Sequence, residues 1–369
     1  MMPHGFSTRF LSLVALLFMP ALMFAGMPNG NSYKVLAPIT SGNLTVFPVA
    51  AAHTHDTSRF LTLDEGVRAG TVVVTEAGQV QGLVRGQHPV RQSSGAEVNK
   101  LVLINNSNRP LLLLAGEIVT GGKQDRVIGE DRIIPGKSDP VDLSVFCVEP
   151  GRWVSKSTNF GYLGAQMAAP SVRRPAVASK SQQEVWDNVG RSNASIAEQV
   201  DSRTRAEVKS STSYAWVMEN SVVKDKVAGI AAPMERNYDS MFRELRKQNA
   251  VGVVVAVNGR IIWADLFAST DLLQSYWPKL IRSYAAEAVA NGGRGGSADV
   301  NAAQAYINNL SGGREIVETD PGVYRRSEVT GAGFKVFSIV SLLPSTDYTV
   351  HLAKTDVEVT TYSKKRAIE

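Results

Sequence analysis

A single cysteine, Cys147, serves 369 residues, so no intramolecular disulfide can form and stability must come from ordinary packing. Histidine is almost as scarce. Five are present, and only His53 and His55 lie close together, spaced so that a strand would point both the same way. Zinc is conceivable there, but no third ligand accompanies the pair and the segment reads as a solvated loop, so no metal is expected. Charge of one sign is also lacking: 39 Lys and Arg face 34 Asp and Glu. With no basic stripe interleaved with aromatics, nucleic acid is not an expected partner. Gly121-Gly122-Lys123 lacks the Gly, four residues, Gly-Lys-Ser/Thr frame of a phosphate-binding loop. No redox or nucleotide cofactor signature is present, and none is expected.

Long apolar runs are missing with one exception. Arg9 is followed by an apolar run over 10–24, then Ala25-Gly26 and a polar stretch, which is the order of a secretory signal peptide. About fifteen residues is short for a membrane span, which needs about twenty. Residues 1–26 are therefore expected to be removed on export, leaving a mature protein with no membrane span in the periplasm or outside the cell.

The chain as a whole is 44% hydrophobic, enough for a substantial core. From 33 to 155, short runs rich in Val, Leu and Thr are separated by Gly, Asn and Pro, which predicts a β-rich half, sandwich-like or barrel-like. Residues 156–180, rich in Ala, Pro, Ser and Arg, read as a linker or exposed loop. The part from 181 to 360 reads as α+β. Ser181 and Glu184 have capping-box spacing, and Val185, Trp186, Val189, Ile196 and Val200 fall on one helical face. A helix is predicted over 234–248, and Asn258-Gly259 predicts a tight hairpin. A further helix over 271–291 is expected to kink or restart at Pro278. The fold class is α+β, a β-rich half packed with an α+β half.

The unusual chemistry lies between 110 and 153, where two apolar strands each end in charge. Alternation puts Cys147 on one face with Val141, Leu143 and Val145, so it reads as a buried structural thiol. If the strands are neighbours, Glu117 and Glu149 converge beside Lys123 and Arg126. The candidate ligand site is Glu117, Lys123, Gln124, Arg126, Glu149 and Arg152. Three readings are open. The first is a non-catalytic binding or interaction module holding an unidentified ligand or protein partner at this polar end. The second is a hydrolase or transferase with Glu117 or Glu149 as general base and Lys123 or Arg126 stabilising negative charge. The third is a structural envelope component docking through an uncovered stripe on 181–200. An ion-pair cluster closing one end of the sheet would explain the same charges without a ligand.

Gly116-Glu117, Gly121-Gly122-Lys123-Gln124-Asp125-Arg126, Cys147-Val148-Glu149 and Gly151-Arg152-Trp153 together resemble the bacterial ARPP domain family. Asn258-Gly259-Arg260, Asp265-Leu266-Phe267 and Trp277-Pro278-Lys279-Leu280-Ile281-Arg282-Ser283-Tyr284 are similar to its second half. The family motif more often has Asn in place of Asp125 and Ala in place of Gly122. The resemblance implies one integrated unit over about 35–355, with the two halves packed together, and it brings no activity.

Overall fold

The computed structural model describes residues 30–76, 100–151, 159–161, 166–236, 238–293, 295–296 and 298–357. The chain opens with β1 (Tyr33–Val35), β2 (Ile39–Ser41) and β3 (Leu44–Ala51). These strands belong to a sheet completed only by the far end of the sequence. β3 is buried on both faces from Leu44 to Val49, as a central strand must be.

The chain then leaves to build the barrel. β4 (Leu61–Thr62) runs into α1 (Leu63–Arg68), which starts with a complete capping box between Thr62 and Glu65. There follow β5 (Val72–Glu76), β6 (Lys100–Asn105), β7 (Leu111–Leu113), β8 (Ile118–Gly121), β9 (Arg126–Ile128), β10 (Arg132–Ile134), β11 (Val141–Cys147) and β12 (Asn159–Gly161). Six of them close a barrel in the order β11-β6-β5-β12-β8-β9, and β10-β7-β4 form a small sheet beside it. β11 turns the corner: 141–144 pair with β6, and 145–147 pair with β9. Val74, Leu103, Val119, Leu143 and Val145 fill the barrel core.

The stretch expected as a linker is instead a buried crossing, in the part that is described. α2 (Pro170–Arg174) and a π-helical turn (Pro175–Ser179) pass between barrel and sheet, with Ala168, Ala169, Val172, Arg173, Ala176 and Val177 buried. A sequence of Ala and Pro suits close passage because it brings little bulk. The crossing is also hydrogen-bonded, with Ala168 N–H donating to Gly116 O and Tyr214 Oη accepting from Ala169 N–H.

Helices α3 (Gln182–Ala197), α4 (Ser202–Ser210), α5 (Tyr214–Glu219), α6 (Ser221–Glu235) and α7 (Tyr238–Lys247) follow. Ser181 caps α3 by accepting from Glu184 N–H. Val185, Val189, Ile196 and Val200 are all buried, so the stripe on 181–200 is covered from within. The single helix expected over 234–248 is divided between the end of α6 and α7. The hairpin of β13 (Ala250–Val257) and β14 (Arg260–Phe267) turns at Asn258 and Gly259, both at positive φ.

α8 (Thr270–Asn291) runs through Pro278 as one helix, against the expected restart. The carbonyl that loses its donor is that of Gln274, and the Tyr238 hydroxyl donates to it at 2.8 Å. α9 (Val300–Asn308), β15 (Arg314–Asp320), β16 (Tyr324–Gly331), β17 (Phe334–Ser341) and β18 (Tyr348–Asp356) finish the chain. The large sheet then reads β1-β3-β13-β14-β18-β17-β16-β15, with β2 on β3. Its outer face packs Phe47, Val254, Leu266, Val336 and Leu352 against Ala303 and Ile307 of α9. Its inner face meets α8, α2 and the barrel. No helix among the described residues is long and apolar enough to cross a membrane.

Candidate functional site

The tight turn before β9 brings Gln124, Asp125 and Arg126 against the end of β11. Gln124 Nε2 donates to Glu149 O at 3.0 Å, and Asp125 N–H donates to a Glu149 carboxylate oxygen at 3.2 Å. Asp125 accepts in turn from Gly121 N–H and, at 3.5 Å, from the Ser213 hydroxyl. Arg126 is fully buried opposite Cys147, and burial pushes that thiol up. Lys123, Arg126 and Glu149 are all engaged in further contacts. The structure thus gathers Gln124, Arg126 and Glu149 around the turn, with Lys123 N–H donating to Glu76. Arg152 lies outside the described residues.

Glu117 is not among them. At the entry to β8 it is buried and turned toward α8, where Lys279 Nζ donates to it at 2.6 Å and also pairs with Asp64. Its other oxygen accepts from Leu114 N–H at 2.7 Å. Burial raises the Glu117 carboxyl and the charge of Lys279 opposes that, while Lys279 is raised because Glu117 and Asp64 outweigh its own burial. The partner of Glu117 is therefore a helical lysine far away in sequence, not Lys123 or Arg126. Lys279 sits three residues after Tyr276 and four before Ser283 on the buried side of an apolar helix, and that placement is the signal that could have found it.

A second buried network was missed entirely by sequence reasoning. Arg173 of α2 makes a fork onto Asp265 of β14, with both nitrogen-to-oxygen distances 2.9 Å, and stacks over Trp263 at 4.5 Å. Its Nε donates to Ala115 O at 2.8 Å. The close approach needs Gly116, which has φ +96° and where a Cβ would fall 2.6 Å from the arginine side chain. Tyr284 Oη donates to Asp265 at 2.5 Å. His351 of β18 bridges two carboxylates, Nδ1 to Asp131 at 2.6 Å and Nε2 to Asp265 at 3.1 Å. Asp131 also accepts from Ala115 N–H at 2.7 Å.

Burial would neutralise His351, but Asp131 and Asp265 outweigh it and push its pKa up to about 9. Asp265 and Asp131 are each raised by burial and lowered by more, through Arg173 and His351 for the first and chiefly His351 for the second. Ala115 and Asp131 of the barrel half, Arg173 of the crossing, and Asp265, Tyr284 and His351 of the large sheet and α8 are thereby tied together.

Beside this network the inner face of the sheet runs out from under its cover and leaves a small cleft, open at its mouth. Its walls are β15–β17, the 129–131 connection and the crossing at 173–180. Trp263, Phe337, Ala353 and Val177 form an apolar floor. The rim is charged and internally paired. Arg326 binds Glu130 at 2.6 Å and also Glu318, and Glu328 holds Lys335 at 2.5 Å and Lys180 at 3.4 Å. Burial raises Glu130, but Arg326 and Arg132 hold it below the usual carboxylate range. The Trp263 indole N–H is buried and finds no acceptor among the described residues. Glu117 and Glu149 do not line this cleft.

Elsewhere, His55 stacks on Tyr348 at 4.1 Å. Among the described residues no group of three His, Cys, Asp or Glu could hold a metal ion. In comparisons with known proteins, the family model of the ARG and Rhodanese-Phosphatase-superfamily-associated Protein domain, ARPP-1, matches residues 32–354. No curated protein and no solved structure matches the chain.

Proposed function

The chain belongs to the ARPP-1 domain family, and from that premise we propose that it is an exported, non-catalytic binding module whose ligand occupies the cleft beside β15–β17. One observation carries this reading: the cleft has an open mouth and an apolar floor, and every carboxylate around it is already committed. Glu130, Asp131, Glu318 and Glu328 each sit in an ion pair, so none is placed to take a proton from a substrate. The ligand that fits is a small amphipathic molecule, with an apolar part against Trp263 and Phe337 and a polar part at the charged rim.

The hydrolase or transferase reading has less support, since Glu117 is bound by Lys279 and Glu149 is held against the 124–126 turn. The polar end at Lys123, Gln124, Arg126 and Glu149 is better explained as the clasp that fixes that turn. Export rests on Arg9 and the apolar run over 10–24, which lie outside the described residues. N-terminal sequencing of the native protein tests it: a start near residue 27 in a periplasmic or secreted fraction supports export, and an intact Met1 in the cytosol contradicts it.

Cleft binding is tested with anilinonaphthalene sulfonate as an amphipathic probe. We expect saturable binding near one probe per chain, weakened by about tenfold (about 1.4 kcal/mol) in Phe337→Ala. Trp216→Ala, which removes an exposed apolar side chain elsewhere, should leave binding unchanged. Equal affinity in Phe337→Ala and the parent would place the probe elsewhere and overturn the assignment.

A further inference from the structure

β15 is the last strand of the large sheet; it pairs with β16 on one side and, among the described residues, with nothing on the other. All seven of its residues are exposed. Three large apolar side chains stand exposed in the described structure, and two of them, Ile316 and Val317 at 47% and 50%, are adjacent at the centre of this strand. An open edge with an apolar centre is a template for another strand.

The charges along β15 say which strand. Arg314 stands at one end and Asp320 at the other, and neither makes an ion pair among the described residues. We propose that β15 docks against β15 of a second copy of this chain, antiparallel, about a two-fold axis at Val317. Every residue of the strand is then paired: Arg314 faces Asp320 at both ends, Glu315 faces Thr319, and Ile316 faces Glu318. No like charges stand directly opposite.

Competing registers are worse. An axis at Glu318 sets two glutamates against each other, an axis at Ile316 leaves Asp320 outside the strand pairing, and a parallel in-register pair would set each charge on its own kind. Opposed like charges destabilise strand pairs and opposite charges stabilise them. The charges that keep an edge from pairing indiscriminately thus permit this one pairing. The inference does not depend on the cleft holding a ligand, although Ile316 and Glu318 line it, so the two clefts of the dimer would adjoin. A contact of one strand per copy is small, and the dimer should be reversible and concentration-dependent.

Sedimentation velocity of the purified protein over a wide concentration range tests this with four chains. The parent should dimerise. Arg314→Asp and Asp320→Arg alone each place like charges at both ends and should weaken association by about tenfold, from two sites of up to about 1 kcal/mol each. The double variant Arg314→Asp with Asp320→Arg restores both opposite-charge pairs and should dimerise like the parent. Within one chain the two residues lie at opposite ends of a strand roughly 20 Å long, so an effect on folding could not be rescued this way. A parent that stays monomeric throughout, single variants that associate like the parent, or a double variant no tighter than the singles would each overturn the proposal.

Discussion

Two of the buried polar clusters among the described residues differ sharply in reach. The clasp at Gln124 and Glu149 joins residues 25 apart in sequence and fixes one turn of the barrel. The network at Asp265 joins residues 92 and 220 apart, through Arg173–Asp265 and His351–Asp131. It holds the barrel, the crossing and the large sheet in one arrangement. A cluster of the first kind shapes a loop, and one of the second kind decides whether two halves stay docked. Removing a charge from each should therefore have unequal effects.

Asp265→Asn is the severest break. It strips Arg173 of its ionic partner and leaves His351 with Asp131 alone, both still buried, and should cost about 3–5 kcal/mol of unfolding free energy in denaturant titration. A loss below about 1 kcal/mol would mean that the cluster relaxes around a neutral side chain, and that it does not lock the halves.

The next effect is set by pH. His351 has a folded pKa near 9 against an unfolded value of about 6.5. Its stabilisation is thus complete below about 6.5 and drains away as pH rises toward 9. Lys354 works in the opposite direction above its own lowered value of about 8, because there the unfolded chain binds more protons. Between pH 7 and 8, above the lowered His55 and below Lys354, His351 dominates, and stability should fall by about 1 kcal/mol. Flat stability over that window, or the same slope in His351→Gln, would contradict the assignment.

Glu149→Gln should cost less than Asp265→Asn, about 1–3 kcal/mol. It keeps an acceptor for Asp125 N–H and unties only one turn. A larger loss than in Asp265→Asn would reverse the comparison.

What the sequence disclosed follows the same division. Strand alternation, the Ser181–Glu184 helix start and the Asn258-Gly259 turn are decided by residues a few positions apart, and the α+β class and the barrel-like half were legible from them. The pairing of β3 with β13 was not, because both strands are buried on two faces and carry no alternation to say which neighbour covers them. The crossing at 168–179 misled for a related reason: Ala and Pro describe equally an exposed linker and a backbone passing where no bulk fits. Asp131, Arg173, Asp265 and His351 lie far apart in sequence with no spacing that links them, and only the closed topology brings them together. Glu117 was correctly marked as unusual and assigned the wrong partners, since a carboxylate at a strand end says that it needs a cation without saying from where.

Scanning calorimetry of the parent protein and Asp265→Asn at pH 7 tests most directly whether this long-range network joins the halves. We expect one cooperative transition in the parent and two in the variant, as barrel and sheet part company. Two transitions already in the parent, or one in the variant at an unchanged midpoint, would contradict it.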